Sequence, residues 1–299
     1  NNPIGLAAGF DKNAEIIPTI RAVGFGYTEV GSVTGEPCEG NPKPRLWRLP
    51  QSKSLVVFYG LKNRGCKAIS KKLKGKKFKI PLGVSVAKTN DASTISVAAG
   101  IADYVKAFKS FVAIADYITI NISCPNTFGG EPFTDAKKLD SLLKTVRKVK
   151  CKKPVFLKIS PDLSHNQLKG IVKLALKYKI TGLICANLTK NRKNKKIVEK
   201  VPEKGGLSGK VVEELSNRQI RQAYKLSKGR LVLIGCGGVF SAKDAYKKIK
   251  AGASLIQLIT GMIYEGPQVI SEINQGLAKL LKEDGFKNIK EAIAHDNRQ

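Results

Sequence analysis

The sequence predicts a single α/β domain, a (β/α)8 TIM barrel that spans residues 1–299. Eight short runs of β-branched and other apolar residues alternate with segments whose apolar residues recur at helical spacing. This alternation is typical of a parallel sheet with helical crossovers. Eight is also the number of strands that closes such a barrel. No GxGxxG loop follows the first strand, so an open doubly wound sheet fits less well.

Local sequence features predict the individual helices and strands. Residues 136–149 carry one apolar stripe at helical spacing, and residues 241–252 begin with a serine that can cap a helix and end at a glycine. The stripe consists of Leu139, Leu142, Leu143 and Val146. The predicted strands are, in chain order, 4–9, 27–33, 81–86, 117–123, 154–160, 182–188, 231–238 and 254–260.

Two connections, 34–80 and 189–209, are too long to be plain linkers. In a barrel, the loops that follow strands lie at the C-terminal ends of the strands, where active sites are built. We therefore expect both connections to contribute to a site.

The net charge of +30 is the most unusual global feature, and most of the excess is lysine in runs such as 71–79 and 190–196. Such a charge is compatible with nucleic acid, an acidic membrane surface or anionic ligands. Aromatic residues are scarce among these runs, so a nucleic-acid partner is not favoured. Solvated lysine faces are the preferred interpretation, and peripheral contact with an anionic membrane is the alternative.

Cysteine and histidine usage excludes several kinds of site. The six cysteines form no CxxC pair and no metal-finger spacing, which predicts reduced thiols of an intracellular protein and no metal site. Only His165 and His295 are present and neither lies in a motif, so a histidine-dependent triad is not expected. No apolar run reaches the roughly 18 residues of a membrane-spanning helix. The chain opens directly into an apparent strand, which indicates that further residues precede it.

Polar residues and glycines cluster where the predicted strands end. Burying so many polar groups at one end of a barrel would be costly without a ligand to satisfy them. Glycines after the seventh and eighth strands also supply backbone N–H groups where barrels usually hold a phosphate, which indicates a phosphorylated cofactor. The residues at these ends are Asp11, Lys12, Ser32, Thr34, Asn121, Ser123, Cys124, Asn126, Lys158, Asn187, Gly237, Gly238, Thr260 and Gly261.

Several stretches resemble the dihydroorotate dehydrogenase family, over essentially the whole chain. They include "AAGFDKNAE", "GFGYTEVGSVTGEPCEGNPKPRLWRLP", "NISCPNT", "KISPDL", "GGLSGK", "IGCGGVFSAKDAYKKIKAGASLIQLITG" and "GFKNIKEAIAHDNR". The resemblance is greatest to the quinone-dependent, membrane-associated class. It implies an FMN-binding barrel that oxidises dihydroorotate to orotate in pyrimidine biosynthesis, with a quinone as the electron acceptor. It also implies a peripheral location on the cytoplasmic side of the cell membrane if an N-terminal membrane and quinone segment precedes this chain, and a cytoplasmic one otherwise.

The resemblance also implies the site residues. The expected substrate contacts are Lys12, Tyr59, Gly60, Leu61, Asn121, Asn126, Asn187 and Leu188. The expected FMN contacts are Ala8, Gly9, Phe10, Asp11, Lys12, Ser32, Ser85, Asn121, Lys158, Ala186, Ser208, Gly209, Gly237, Gly238, Ile259 and Thr260.

Cys124 occupies the position of the family's catalytic base, which takes the C5 proton while a hydride leaves C6 for the flavin. A free thiol has a pKa of about 8.5, so a useful base at neutral pH needs a positive charge such as Lys12 or Lys158 to lower it. The alternative is that Cys124 is a buried structural cysteine. The other five cysteines are expected to be fillers or bystanders.

The chain departs from the family pattern at several positions. The quinone-dependent class normally has serine as its base, and Ser85 replaces an asparagine beside the flavin. Val57 stands where the family has a substrate-binding asparagine, and Leu188 stands in place of a substrate-side threonine. Either the loop is shifted so that Asn63 or Lys62 substitutes, or the substrate is another dihydropyrimidine. The rival hypotheses are an enzyme similar to tRNA dihydrouridine synthase and a non-catalytic flavin-binding barrel.

Overall fold

The computed structural model describes residues 2–297 and contains the predicted barrel. Its strands are β1 (Ile4–Leu6), β2 (Tyr27–Val33), β3 (Leu46–Leu49), β4 (Ser54–Val57), β5 (Leu82–Val86), β6 (Tyr117–Asn121), β7 (Val155–Ile159), β8 (Gly182–Cys185), β9 (Gly206–Gly209), β10 (Val232–Cys236) and β11 (Leu255–Leu258). Around the barrel, the strand order is β1, β11, β10, β8, β7, β6, β5 and β2. Parallel pairing of β1 with both β2 and β11 closes the sheet.

All eight predicted strands are confirmed, but several end earlier than expected. The first predicted strand ran to residue 9 and β1 ends at Leu6, while the sixth ran to residue 188 and β8 ends at Cys185. Beyond these ends a few backbone hydrogen bonds continue the ladder, such as Ala7 N–H to the Leu258 carbonyl and Asn187 N–H to the Ile159 carbonyl, before the chain turns into the loops above the barrel. The residues beyond these ends line the site described below.

Most helices lie between strands along the chain, and the last three follow β11. The helices are α1 (Ile17–Ile20), α2 (Gly65–Leu73), α3 (Val97–Phe111), α4 (Ala136–Val146), α5 (His165–Lys177), α6 (Glu213–Ser227), α7 (Ala242–Lys250), α8 (Thr260–Glu265), α9 (Val269–Glu283) and α10 (Ile289–Ala292). Short 3-10 turns occur at Ala92–Thr94, Pro132–Thr134, Lys210–Val212 and His295–Asn297. No helix in residues 2–297 is both long enough and apolar enough to cross a bilayer.

Helix α4 shows why these segments are helical. The Asp135 side chain accepts a hydrogen bond from the Lys138 backbone N–H and so caps the first turn. The predicted stripe, Leu139, Leu142, Leu143 and Val146, is buried in the main core between helices and barrel. Similarly, the Ser241 side chain caps α7 by accepting from the Asp244 N–H, as the sequence predicted.

Inside the barrel, below the site, aromatic rings fill the space between the strands. Tyr117 lies between Tyr27 and Phe156, with edge-to-face contacts at ring-centre distances of 6.2 and 5.6 Å. Glu29 lies beside them and accepts hydrogen bonds from Thr119 Oγ1 at 2.9 Å and Gln257 Nε2 at 3.1 Å. This packed cluster forms the floor of the barrel interior.

The two long connections fold onto each other as a second sheet. Strands β3 and β4 come from the first connection and β9 comes from the second, and they pair antiparallel in the order β3, β4, β9. A small apolar cluster that includes Val56, Leu207 and Val212 stabilises this sheet. Both connections therefore lie beside the mouth of the barrel, as their length predicted, although the sequence did not predict their strands.

Candidate active site

A cavity of about 460 Å³ opens at the C-terminal ends of the barrel strands, bordered by the small antiparallel sheet. Nearly all the predicted site residues line it. They are Ala8, Gly9, Phe10, Lys12, Ser32, Tyr59, Gly60, Leu61, Asn121, Cys124, Asn126, Lys158, Ala186, Asn187, Leu188, Ser208, Gly209, Gly237, Gly238, Ile259 and Thr260. The structure thus brings together residues that are up to 252 positions apart, from Ala8 to Thr260.

Two predicted cofactor contacts, Asp11 and Ser85, are not among the residues that line this cavity. The Asp11 carboxylate accepts the backbone N–H groups of Glu15 at 2.7 Å and Ile16 at 3.1 Å, so it holds the turn that follows β1. Ser85 is fully buried, and its Oγ lies 2.8 Å from the Ser32 Oγ. Both residues support the wall of the cavity from behind, and their direct contact with a ligand stays a prediction.

The cavity's asparagines are fixed by hydrogen bonds before any ligand binds. Asn121 Nδ2 donates to Ser32 Oγ at 2.9 Å, and Asn121 Oδ1 accepts from Ser123 Oγ at 3.0 Å. Asn187 Nδ2 donates to the Ser123 carbonyl at 2.9 Å, and Asn126 Nδ2 donates to the Val57 carbonyl at 2.8 Å. The amides are therefore preorganised to present their remaining polar atoms to a planar ligand.

Two lysines bring positive charge into the cavity. Lys158 is only 4% exposed, and Lys12 Nζ lies 5.1 Å from the centre of the Tyr59 ring. Within residues 2–297, neither ammonium group has a carboxylate within ion-pair distance. Burial lowers the pKa of Lys12, and the neighbouring Lys158 charge lowers it further. Buried charges are normally paired, so this arrangement favours an anionic ligand.

Next to the ends of β9, β10 and β11, the backbone approaches the cavity through glycines. Gly209, Gly237 and Gly238 have φ angles of +92°, +108° and +72°, which favour glycine. A Cβ atom on Gly238 would lie 2.4 Å from the Glu213 Cβ. Ser208 Oγ and Thr260 Oγ1 lie 2.9 Å apart on the same side of the cavity. Hydroxyls and exposed backbone N–H groups are the donors that hold a phosphate in barrels of this kind.

Cys124 follows β6 and lines the cavity, where it is partly exposed. Burial raises the pKa of its thiol to about 11, while the Asn126 backbone N–H and the charges of Lys12 and Lys88 act in the opposite direction without offsetting burial. The positive charges of Lys12 and Lys88 therefore do not lower this pKa to the range that a base at neutral pH needs. In this structure the thiol is predominantly protonated at neutral pH.

Val57 and Leu188 make part of the cavity wall apolar. The structure excludes the proposed substitution by Asn63, because its amide donates to Thr34 Oγ1 and to the Leu61 carbonyl, both at 2.7 Å. Lys62 is exposed and forms an ion pair with Glu39 at 3.2 Å. Neither residue lines the cavity, so the polar partners missing at positions 57 and 188 are not replaced by them.

An apolar region at the mouth of the cavity was not predicted from the sequence. Leu46, Leu55 and Ile263 line it beside Phe10, and the exposed fractions of Leu46 and Phe10 are 41% and 43%. Cys236, which was expected to be a bystander, also lines the cavity. Leu46 and Leu55 were not identified because they lie in strands that only pair once the two long connections meet. Exposed apolar side chains of this size indicate an apolar ligand or a covering segment.

The chain is similar to known proteins along its whole length. The family model described as dihydroorotate dehydrogenase matches residues 1–281. A similar curated protein is the dihydroorotate dehydrogenase (quinone) of Parvibaculum lavamentivorans, which is 42% identical over 298 residues that cover 99% of this chain and 84% of that protein. The mitochondrial dihydroorotate dehydrogenase (quinone) of Arabidopsis thaliana is 41% identical over 327 residues that cover 100% of this chain and 71% of that protein.

Solved structures agree with these matches. The crystal structure of the Eimeria tenella dihydroorotate dehydrogenase in complex with ferulenol has a TM-score of 0.92 to this structure, with 31% sequence identity, and the match covers 99% of this chain and 86% of that one. A ligand-free structure of the same enzyme has a TM-score of 0.89. With its closed barrel, its cavity of converging strand ends and these full-length matches, the chain belongs to the dihydroorotate dehydrogenase family.

Proposed function

We propose that this protein oxidises dihydroorotate to orotate in pyrimidine biosynthesis, with FMN as cofactor and a quinone as electron acceptor. The observation that carries the proposal is one cavity that combines glycine-rich strand ends, fixed amides, a thiol and two lysines that have no carboxylate partner within residues 2–297. Family membership supports the same reaction, since the similar proteins are named dihydroorotate dehydrogenase (quinone).

The residues present fit FMN. Gly237, Gly238 and the hydroxyls of Ser208 and Thr260 would hold the phosphate. Together they offer backbone N–H and side-chain O–H donors on one side of the cavity. Lys158, Ser32 and Asn121 would contact the ring system from the barrel side. When bound, FMN supplies the acceptor for the hydride that leaves the substrate.

The remaining polar residues would orient the substrate. Lys12 would bind the carboxylate of dihydroorotate, which supplies the carboxylate partner that this lysine lacks among the described residues. Asn126 and Asn187 would bind the N–H and C=O edges of the pyrimidine, since each amide offers both donors and an acceptor. Cys124 would accept the C5 proton, and its thiolate must form first because a thiol is not a base.

A quinone acceptor fits the apolar mouth of the cavity. Phe10, Leu46, Leu55 and Ile263 form a lining that suits an apolar electron acceptor better than a charged nucleotide. The net charge of +30 supports contact of the protein with an anionic membrane surface, where quinones reside. Binding to vesicles that contain anionic lipids, lost at high salt, is the expected result for this part of the proposal.

A second candidate function is the oxidation of another dihydropyrimidine. Val57 and Leu188 favour it, because an apolar wall leaves part of the polar edge of orotate unmatched. The family match gives no support to the rival hypothesis of a tRNA-modifying enzyme.

An anaerobic titration of the purified yellow protein tests the proposal. Dihydroorotate is expected to bleach the flavin absorbance, and a quinone added afterwards is expected to restore it. Dihydrouracil, which lacks the carboxylate for Lys12, serves as the matched control. Bleaching by dihydrouracil but not by dihydroorotate would favour the second candidate, and no bleaching by either would contradict both.

A further inference from the structure

A second, smaller cavity also reaches Cys124. Its volume of about 10 Å³ corresponds to roughly one water molecule. Besides Cys124, its polar lining consists of Lys88, Tyr104, Asn121, Thr127 and Glu131. Lys88 and Glu131 do not line the larger cavity, so this small cavity brings Cys124 into a second set of charged neighbours.

Lys88 is a buried lysine in the lining of the small cavity. It follows β5, is only 3% exposed, and has no carboxylate within ion-pair distance among the described residues. Its Nζ donates to the Phe128 carbonyl at 2.8 Å and to Thr94 Oγ1 at 3.4 Å, which are both neutral groups. Burial lowers the pKa of Lys88, and the charges of Asp91 and Asp103 act in the opposite direction without offsetting burial. A group in the shared cavity that becomes negative would reduce the cost of burying this ammonium group further.

Lys88 also holds the loop that carries Cys124. Two hydrogen bonds hold the backbone of Phe128, in the loop after β6. The Phe128 carbonyl accepts from Lys88 Nζ, and the Phe128 N–H donates to Asn90 Oδ1 at 2.6 Å. Asn90 Nδ2 in turn donates to the Gly60 carbonyl at 3.1 Å. The segment after β5 therefore fixes the loop of the thiol relative to the substrate side of the larger cavity.

We propose that Lys88 is a positioning residue that stabilises the thiolate of Cys124 through the small cavity and fixes the loop on which this cysteine lies. The inference rests on the proposed function, in which Cys124 Sγ accepts the C5 proton of the substrate. No electron moves to or from Lys88. Its ammonium group stays protonated while the thiol loses its proton to solvent and the resulting thiolate takes the next one from C5.

Other groups around Cys124 also influence the ionisation of its thiol. Lys12, on the segment after β1, favours the thiolate, as Lys88 does. Glu131, on the same loop as the thiol, disfavours it and raises the thiol pKa. Tyr104 of α3 lines the small cavity and donates its hydroxyl to the Asn121 carbonyl at 2.7 Å. Lys88 and Glu131 thus have opposite effects on the pKa of the Cys124 thiol.

The test measures the ionisation of Cys124 directly in the FMN-loaded protein. The rate of alkylation by iodoacetamide is followed against pH, and the modified peptide is identified by mass spectrometry. Cys151, on the segment between α4 and β7, provides a reference thiol in the same sample. The variants are Lys88→Met, Lys88→Gln, which retains an N–H donor for Phe128, and Lys88→Arg, which retains the charge.

We expect the half-maximal pH of Cys124 alkylation to rise by about one unit in Lys88→Met and Lys88→Gln, which slows alkylation about tenfold at pH 8. Lys88→Arg is expected to match the wild type, and Glu131→Gln is expected to shift the profile downward. Unchanged profiles in both Lys88→Met and Lys88→Gln would overturn the inference. Should Lys88→Met not fold, Lys88→Gln and Glu131→Gln still decide it. The profiles could shift in a protein in which dihydroorotate does not reduce the flavin. That result would uphold the role of Lys88 and contradict only the proposed function.

Discussion

Replacement of Val57 by asparagine tests how the cavity recognises its substrate. Val57 is half-buried at the end of β4, and its backbone is fixed by pairing with Leu46 on one side and Gly206 on the other. Its carbonyl also accepts the Asn126 amide at 2.8 Å. A new side chain at this position therefore changes the chemistry of the wall without moving the strand.

The expected gain follows from one added hydrogen bond. In the proposed binding mode, the dihydroorotate edge beside Val57 would lose its hydrogen bonds to water and gain none from the protein, which would cost about 1–3 kcal/mol. An amide in Val57→Asn would recover about 1.4 kcal/mol of this, which corresponds to about tenfold tighter binding of orotate. The exposure of the side chain limits the loss of folding stability to about 1 kcal/mol.

The assay is the spectral change of bound FMN as orotate is added, which gives the dissociation constant directly. Val57→Ala is the matched control, since it removes the valine without adding a donor, and it is expected to leave orotate binding unchanged or weaker. Equal or weaker binding by a folded Val57→Asn protein would refute the assignment of Val57 to the pyrimidine site.

Further predictions concern the thiol, the phosphate site and the turn after β1. Cys124→Ala is expected to slow flavin reduction by about 10²–10⁴-fold, with Cys124→Ser between it and the wild type, measured by anaerobic stopped flow. Because only the thiolate accepts a proton and burial raises the pKa of Cys124 to about 11, the wild-type rate should rise with pH up to that value; a flat profile would remove Cys124 as the base. Gly238→Ala should lower the FMN-to-protein ratio, since its Cβ would lie 2.4 Å from the Glu213 Cβ, whereas Gly285→Ala, also at positive φ but with nothing within 4 Å, should not. Asp11→Ala should lower the free energy of unfolding by about 1–3 kcal/mol in urea titrations through loss of the two N–H partners of its carboxylate; unchanged stability would argue against its role in the turn.

The eight barrel strands and most of the site could be predicted because both depend on local signals. Each strand is a short apolar run, and the polar residues that follow it meet at one end of any closed parallel barrel. The resemblance of stretches such as "NISCPNT" then suggested roles for residues that the barrel brings together, among them Cys124 and Thr260.

The rest depends on contacts between distant segments. In β3, Leu46–Leu49 gives little sign of a strand, because it becomes ordered only by pairing with β4, which in turn pairs with β9 more than 140 residues away along the chain. The sequence left Asn63 available to bind substrate, yet in the fold its side-chain amide donates hydrogen bonds to Thr34 Oγ1 and to the Leu61 carbonyl. The pKa of the Cys124 thiol could not be judged from sequence either, because it depends on desolvation, which exceeds the effect of the positive neighbours.

The central claim is that the strand ends hold a flavin and that Cys124 faces the pyrimidine stacked on it. A crystal structure of the protein with FMN and orotate tests this most directly. We expect the phosphate beside Gly237 and Gly238, the orotate carboxylate beside Lys12, and Cys124 Sγ in contact with the C5 side of the ring. A flavin bound outside this cavity, or a thiol turned away from the pyrimidine, would contradict it.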